Sequence, residues 1–182
     1  MMKNTSHTAN EYQDMARRIH LIWVAIMVVA PLALTGSFYL LFSFNPVTTP
    51  AEQPPLLSPA LAYTSLLGLC GLFLLGTRPL ANLFLSPERL STLTLRAPAA
   101  QMTREKEVSL RVQTGVMRLL GIIDLPILLA VFLSYMDAEI GYALLAVGYG
   151  LLSTATSRPD LNVAARQLEQ RLATSRSNAS SA

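Results

Sequence analysis

Charge disappears from this chain in four stretches and returns between them. Residues 19–44 are apolar apart from His20, Thr35, Ser37 and Ser43, more than the ~20 residues that a helix needs to cross ~30 Å of hydrocarbon. Residues 60–76, 116–135 and 140–156 read as a second, third and fourth span. In the first, Pro31 removes the donor that would serve the Met27 carbonyl, so a kink is expected there, eased by Thr35 or by a neighbouring helix. Trp23 and Tyr39 lie near the two ends of that span, where interfacial aromatics belong. The loop that follows, 45–59, carries five prolines and no Lys or Arg, a composition that favours extended chain. Residues 136–139, with Asp137 and Glu139, are short enough to make spans three and four a tight hairpin.

The polar segments also show periodicity. In the connector 84–115, Thr103 can cap a helix whose positive end Glu105 complements, and Glu107 with Arg111 forms an i,i+4 pair. That helix is expected to run on into span three. In the tail, Leu161, Ala164, Ala165, Leu168 and Leu172 fall at helical spacing opposite Asp160, Arg166, Glu169 and Arg171, giving an amphipathic helix for the membrane surface or for a neighbour. The Ser/Asn-rich residues 174–182 are expected to be disordered. The resulting organisation is an N-terminal segment 1–18, a first hairpin 19–83, the connector 84–115, a second hairpin 116–157, and a tail 158–182.

Composition agrees with a bilayer solvent: 52% of residues are hydrophobic and 14% charged, against about a quarter charged in soluble domains. The net charge of +3 and pI near 9.3 invite a nucleic-acid reading, but no basic face with groove-reading elements accompanies them. The positions of the charges explain them better. Of the fourteen Lys and Arg, three precede span one, seven lie between spans two and three, and four follow span four, while the two opposite loops have none. The positive-inside rule then puts both termini in the cytoplasm, with the basic segments against anionic lipid. Residues 1–14 lack the pattern of a secretory signal, so span one is expected to remain as an anchor. Cys70 is the single cysteine; it allows no intrachain disulfide and no Cys/His metal spacing, and reads as a small hydrophobe.

Two sets of small residues look suited to helix packing. Gly68 and Gly71 thin one side of span two, and Ala146, Gly150 and Thr154 recur every fourth residue along span four. An internal repeat is also visible. Span two runs into Arg78, Pro79 and Asn82, and span four into Arg158, Pro159 and Asn162, each ten residues beyond a glycine, Gly68 and Gly148. Arg marks the cytoplasmic interface, Pro is expected to start a surface helix, and Asn can cap locally. Pro31 answers Pro126 in the same register, so the chain reads as two copies of one hairpin in one orientation. This layout resembles small, functionally unassigned bacterial inner-membrane proteins of duplicated-hairpin type, and more distantly it is similar to the proteolipid subunits of rotary ATPases. That resemblance implies a carboxylate at mid-membrane. In proteolipids the acid stands on the second helix of a glycine-rich hairpin, whereas here Asp124 stands on the first and glycines are fewer.

Asp124 is the candidate chemistry. From Arg118 to Asp137 nineteen helical steps cover ~28 Å, and Asp124 lies ~9 Å in from Arg118. Its insertion costs up to ~3 kcal/mol, offset by eleven Leu, Ile, Val and Phe residues between 119 and 133 at ~0.3–0.6 kcal/mol each. Equal depth on span four brings Tyr149, Ser153 and Thr154 level with it, so these are its expected hydrogen-bond partners. Two uses remain open: a packing hydrogen bond that orients spans three and four, or a proton or cation site. His20 reads as an interfacial histidine, and no nucleophile–base set, phosphate loop or dinucleotide fingerprint is present. The expected molecule is therefore an all-α, integral protein of the bacterial plasma (inner) membrane, with four transmembrane helices as two repeated hairpins and both termini cytoplasmic. It is expected to be non-enzymatic and without cofactors or metal. Its expected role is that of a structural or accessory subunit, packing in a homo-oligomer or larger membrane complex and docking through its cytoplasmic segments. The alternative is a small ion- or proton-translocating protein using Asp124.

Overall fold

A computed structural model describes residues 4–44, 58–94, 102–156 and 159–180 of the 182-residue chain. Among these, every regular element is helical. The first rod comprises α1 (Asn4–Val24), a π-helical turn (Ala25–Val29) and α2 (Ala30–Phe44). The wide turn sits where Pro31 leaves the Met27 carbonyl without its usual donor, and the Ala30 N–H reaches back to the Ala25 carbonyl instead. Thr35 donates to the Pro31 carbonyl at 2.8 Å, the local support expected of it. The proline-rich loop 45–57 lies outside the described residues.

Helix α3 (Pro59–Phe84) runs straight through Arg78 and Pro79. The expectation that Pro79 starts a surface helix is thereby corrected. Pro79 is exposed, and the carbonyl it deprives is that of Leu75, one turn back on the same face and 84% exposed, so no buried acceptor is orphaned. In the second copy Arg158 lies outside the described residues, and Pro159 precedes a break before α8 (Leu161–Ser180), whose N-terminus is capped by Asp160 accepting from the Asn162 and Val163 N–H groups at 3.1 and 3.2 Å. Pro79, inside a helix, and Pro159, ahead of one, thus stand in different local conformations. α8 also continues to Ser180, where disorder was expected from 174 onward.

Between these lie α4 (Pro87–Thr92), α5 (Arg104–Ile123), α6 (Leu125–Asp137) and α7 (Ile140–Thr156). α5 begins beside Thr103 as anticipated, but the continuous helix breaks at Asp124, two residues before Pro126. α6 ends at Ala138, which adopts a left-handed conformation (φ 53°) and donates its N–H to Ser134. The Ser134 hydroxyl in turn donates to the Glu139 carbonyl at 2.7 Å, closing the hairpin into α7. Three rods, Tyr12–Leu41, Pro59–Phe84 and Arg104–Asp137, are long and apolar enough to cross a membrane, or four if Ile140–Thr156 and the helix after it are counted as one bent span.

By its internal contacts the chain divides into two compact units. The first comprises residues 1–21, 78–120 and 159–182. Its core is built from Tyr12, Met15 and Ile19 of α1, Val108, Val112, Val116 and Leu119 of α5, Leu90 of α4, and Leu161, Ala164, Ala165 and Leu168 of α8. The apolar face of the tail helix is therefore spent inside its own chain, not on a lipid surface; Ala165 and Leu168 are fully buried. Arg111 ties this unit together. Its guanidinium meets Glu107 at 3.0 Å and donates to the Leu90, Ser91 and Leu93 carbonyls at 2.9, 2.5 and 3.0 Å, satisfying the open end of α4.

The second unit comprises residues 22–77 and 121–158. Here α6 and α7 pack as a hairpin, with the π-helical turn and α2 also against α7. Trp23 belongs to this core at 3% exposure, and its indole N–H is buried without a hydrogen-bond partner. Tyr63 of α3 reaches the hairpin turn, donating to Glu139 at 3.2 Å and stacking at a tilt on Tyr142 with ring centroids 4.6 Å apart. Glu139 also accepts from the Gly141 N–H at 3.2 Å, so the turn's acid is part of the hairpin's structure.

Candidate functional site

The second unit contains two interrupted helical ladders, and both are met by consecutive residues of α7. Tyr149 donates its hydroxyl to the Ile123 carbonyl at 3.0 Å, at the break ahead of Pro126. Gly150, the next residue, lies against the Met27 carbonyl that Pro31 leaves open; a Cβ at Gly150 would collide with that oxygen and would touch Ile127 at 3.5 Å. In an apolar medium each broken carbonyl needs a partner or a close, polarisable neighbour. One side chain with a hydroxyl and one residue without a side chain supply the two solutions side by side.

This arrangement reassigns the residues singled out by the sequence. Tyr149, Ser153, Ala146 and Gly150 are all buried, with Ala146 and Ser153 fully so. Tyr149 does not donate to Asp124, however: its hydrogen goes to the backbone one residue earlier. The reason is geometric. The turn at Asp124 opens the helix just where the Tyr149 ring arrives, and a buried carbonyl is as strong a claimant as a carboxylate on the helix flank. Asp124, Cys70 and Ser153 all lie near that hydroxyl. The Asp124 Oδ1 is buried without a hydrogen-bond partner, and so is the Thr154 hydroxyl. Ser153 stands beside the Tyr149 hydroxyl without good hydrogen-bond geometry.

The packing glycines divide. Gly150 is in close contact, as its spacing with Ala146 predicted, whereas Gly68 and Gly71 face open space, with nothing within 4 Å of an added Cβ. Among the described residues of this chain no neighbour approaches them, so the packing role that the sequence suggested for span two's small face falls to contacts outside the chain or to none. Asn82 and Asn162 are exposed, with no role in the polar site. Two features were missed by the sequence reading. Arg111's grip on α4 was visible only as its pair with Glu107, because its three carbonyl partners lie 18–21 residues away. The fit of Met27 to Gly150 required knowing which faces met.

Among the described residues, no group of three or more His, Cys, Asp or Glu comes together in a way that could hold a metal ion. The polar atoms of the site are one carboxylate, three hydroxyls and main-chain carbonyls at helix breaks, a set able to share a proton or to offer oxygens to a cation. Compared with family models, curated proteins and solved structures, the chain matches none of them.

Proposed function

We propose that this chain is a non-enzymatic, multi-pass accessory subunit of a bacterial plasma membrane, with two hairpins in one orientation and both termini cytoplasmic, acting by helix packing in a homo-oligomer or larger complex. One observation supports this reading above others. On α3, Ser65 and Gly68 are exposed one turn apart, Gly68 and Gly71 have open space before them, and Leu61, Leu72 and Leu75 flank them at 55, 66 and 84% exposure. Small and hydroxylic residues on the outside of a spanning helix let a second backbone approach closely, and bulky neighbours then pack around the contact. The tail helix contributes less to docking than its sequence pattern suggests, since its apolar face is already covered. Purification in a mild detergent tests the reading: a stable oligomer or a retained partner supports it, and a lone monomer that brings down nothing sinks it.

A second reading has its own observation. The packing hydrogen bond expected of Asp124 is made by Tyr149 to the backbone, and the Asp124 Oδ1 is buried without a hydrogen-bond partner. An acid at that depth persists at a cost of a few kcal/mol, so a protonatable or cation-binding role is the alternative. Flux into liposomes decides it: Asp124→Asn abolishes transport if the acid carries protons or cations, and equal behaviour of Asn and Asp makes the residue structural.

A further inference from the structure

The first unit holds a cavity of about 290 Å³ whose wall includes Arg89, Arg118, Thr92, Thr94, Phe84 and Gly115. It is unlike the rest of that unit in charge. Glu88 is held by Arg171 at 2.7 Å and Glu107 by Arg111 at 3.0 Å, while among the described residues neither Arg89 nor Arg118 has a carboxylate within ion-pair distance. Arg89 lies over the Phe84 ring at 5.8 Å, a cation–π contact that holds the guanidinium at the cavity without using its N–H donors. Thr94 is exposed at the rim. The carbonyl end of α4 would ordinarily repel an anion here. Arg111 already occupies those carbonyls, and Gly115 in the wall leaves no room for a side chain, since a Cβ there would press on Leu90 and Leu85.

We infer that this cavity is a site for a phosphate group, carried by an anionic phospholipid headgroup or free in solution. Two planar guanidiniums give the forked, bidentate donation that phosphate oxygens accept best, and a threonine hydroxyl adds a neutral donor. The position suits a headgroup. Phe84 ends a long apolar helix, and Arg118 stands where α5 passes from the charged sequence 104–111 into the uncharged run that follows. Basic pockets at that level take lipid phosphates while the acyl chains lie along the helices. Two unneutralised arginines also disfavour a headgroup that carries its own cation, so phosphatidylglycerol is preferred over phosphatidylcholine.

Thermal unfolding of the full chain in detergent tests this, with short-chain phosphatidylglycerol, short-chain phosphatidylcholine and inorganic phosphate added in separate arms. Phosphatidylglycerol raises the midpoint at concentrations where phosphatidylcholine does not. Inorganic phosphate matching it identifies free phosphate as the source, and inorganic phosphate lagging behind identifies the lipid. Arg89→Gln and Arg118→Gln each move the concentration dependence up by about tenfold, and Arg166→Gln, on the exposed face of α8, leaves it unchanged. Thr94→Glu, an exposed substitution that leaves the folded core alone, removes the effect through charge repulsion. Wild-type dependence in Thr94→Glu and in both arginine variants, or an equal response to phosphatidylcholine, overturns the assignment.

Discussion

Tyr149 donates a hydrogen bond to the main-chain carbonyl of Ile123, 26 residues earlier, at 3.0 Å. The bond joins α7 to the point where the preceding helix breaks ahead of Pro126, and it assigns to a tyrosine the task that Asp124 was expected to perform. Tyr149→Phe leaves that carbonyl buried and unserved, and is expected to lower stability by about 1 kcal/mol. Asp124→Asn removes no hydrogen bond at Oδ1 and is expected to leave the unfolding midpoint unchanged or raised. Thermal denaturation of the two variants in one detergent measures both; a loss in Asp124→Asn larger than in Tyr149→Phe contradicts the assignment.

Gly150 and Gly68 should respond oppositely to the same change. Gly150→Ala drives a methyl into the Met27 carbonyl, which belongs to a backbone already distorted into a π turn, and is expected to cost about 1–3 kcal/mol. Gly68→Ala meets nothing within 4 Å and gains helix propensity, so the isolated chain should be unaffected or slightly stabilised. Circular dichroism melts of both variants check the contrast.

These two glycines show what the chain's pattern can and cannot reveal. The long apolar runs, the start of α5 near Thr103, the hairpin at 136–139, the Pro31 distortion and the Glu107–Arg111 pair are all consequences of spacing along one helix, and each was readable. The faces that meet are not. The period of four along span four located Ala146 and Gly150 without naming Met27 as the neighbour of Gly150, and the same logic could not say that Gly68 and Gly71 would meet nothing inside the chain. Depth counting brought Tyr149 level with Asp124, but could not show that the helix break would offer a competing acceptor one residue away. Pro79 was misread because an exposed proline near a helix end can be absorbed without orphaning a buried carbonyl.

Arg111 is the residue on which the first unit most depends. Arg111→Met keeps much of its bulk but removes the guanidinium from Glu107, which is 3% exposed, and opens three carbonyls at the end of α4. A loss of about 3–5 kcal/mol is expected from breaking a buried pair on one side. Hydrogen exchange should show the amides of α4 and the N-terminal half of α5 losing protection first; exchange as slow as in the parent protein there counts against this account.

Ala138 offers a test with the opposite sign. Its φ of 53° costs an alanine about 1 kcal/mol that glycine does not incur, and helices commonly end with glycine at this position. Ala138→Gly should raise stability by roughly 0.5 kcal/mol after the added freedom of the unfolded chain is discounted. A lower melting temperature would mean that the turn is held differently.

The proposal that α3 presents a packing face to another protein is tested most directly by photo-crosslinking in native membranes. A photoreactive amino acid placed at Ser65 or at Leu72, the exposed positions one turn to either side of Gly68, should yield covalent adducts to a second copy or to a partner protein, identified by mass. A chain that remains at its monomer mass at both positions, bonded only to lipid, contradicts the account.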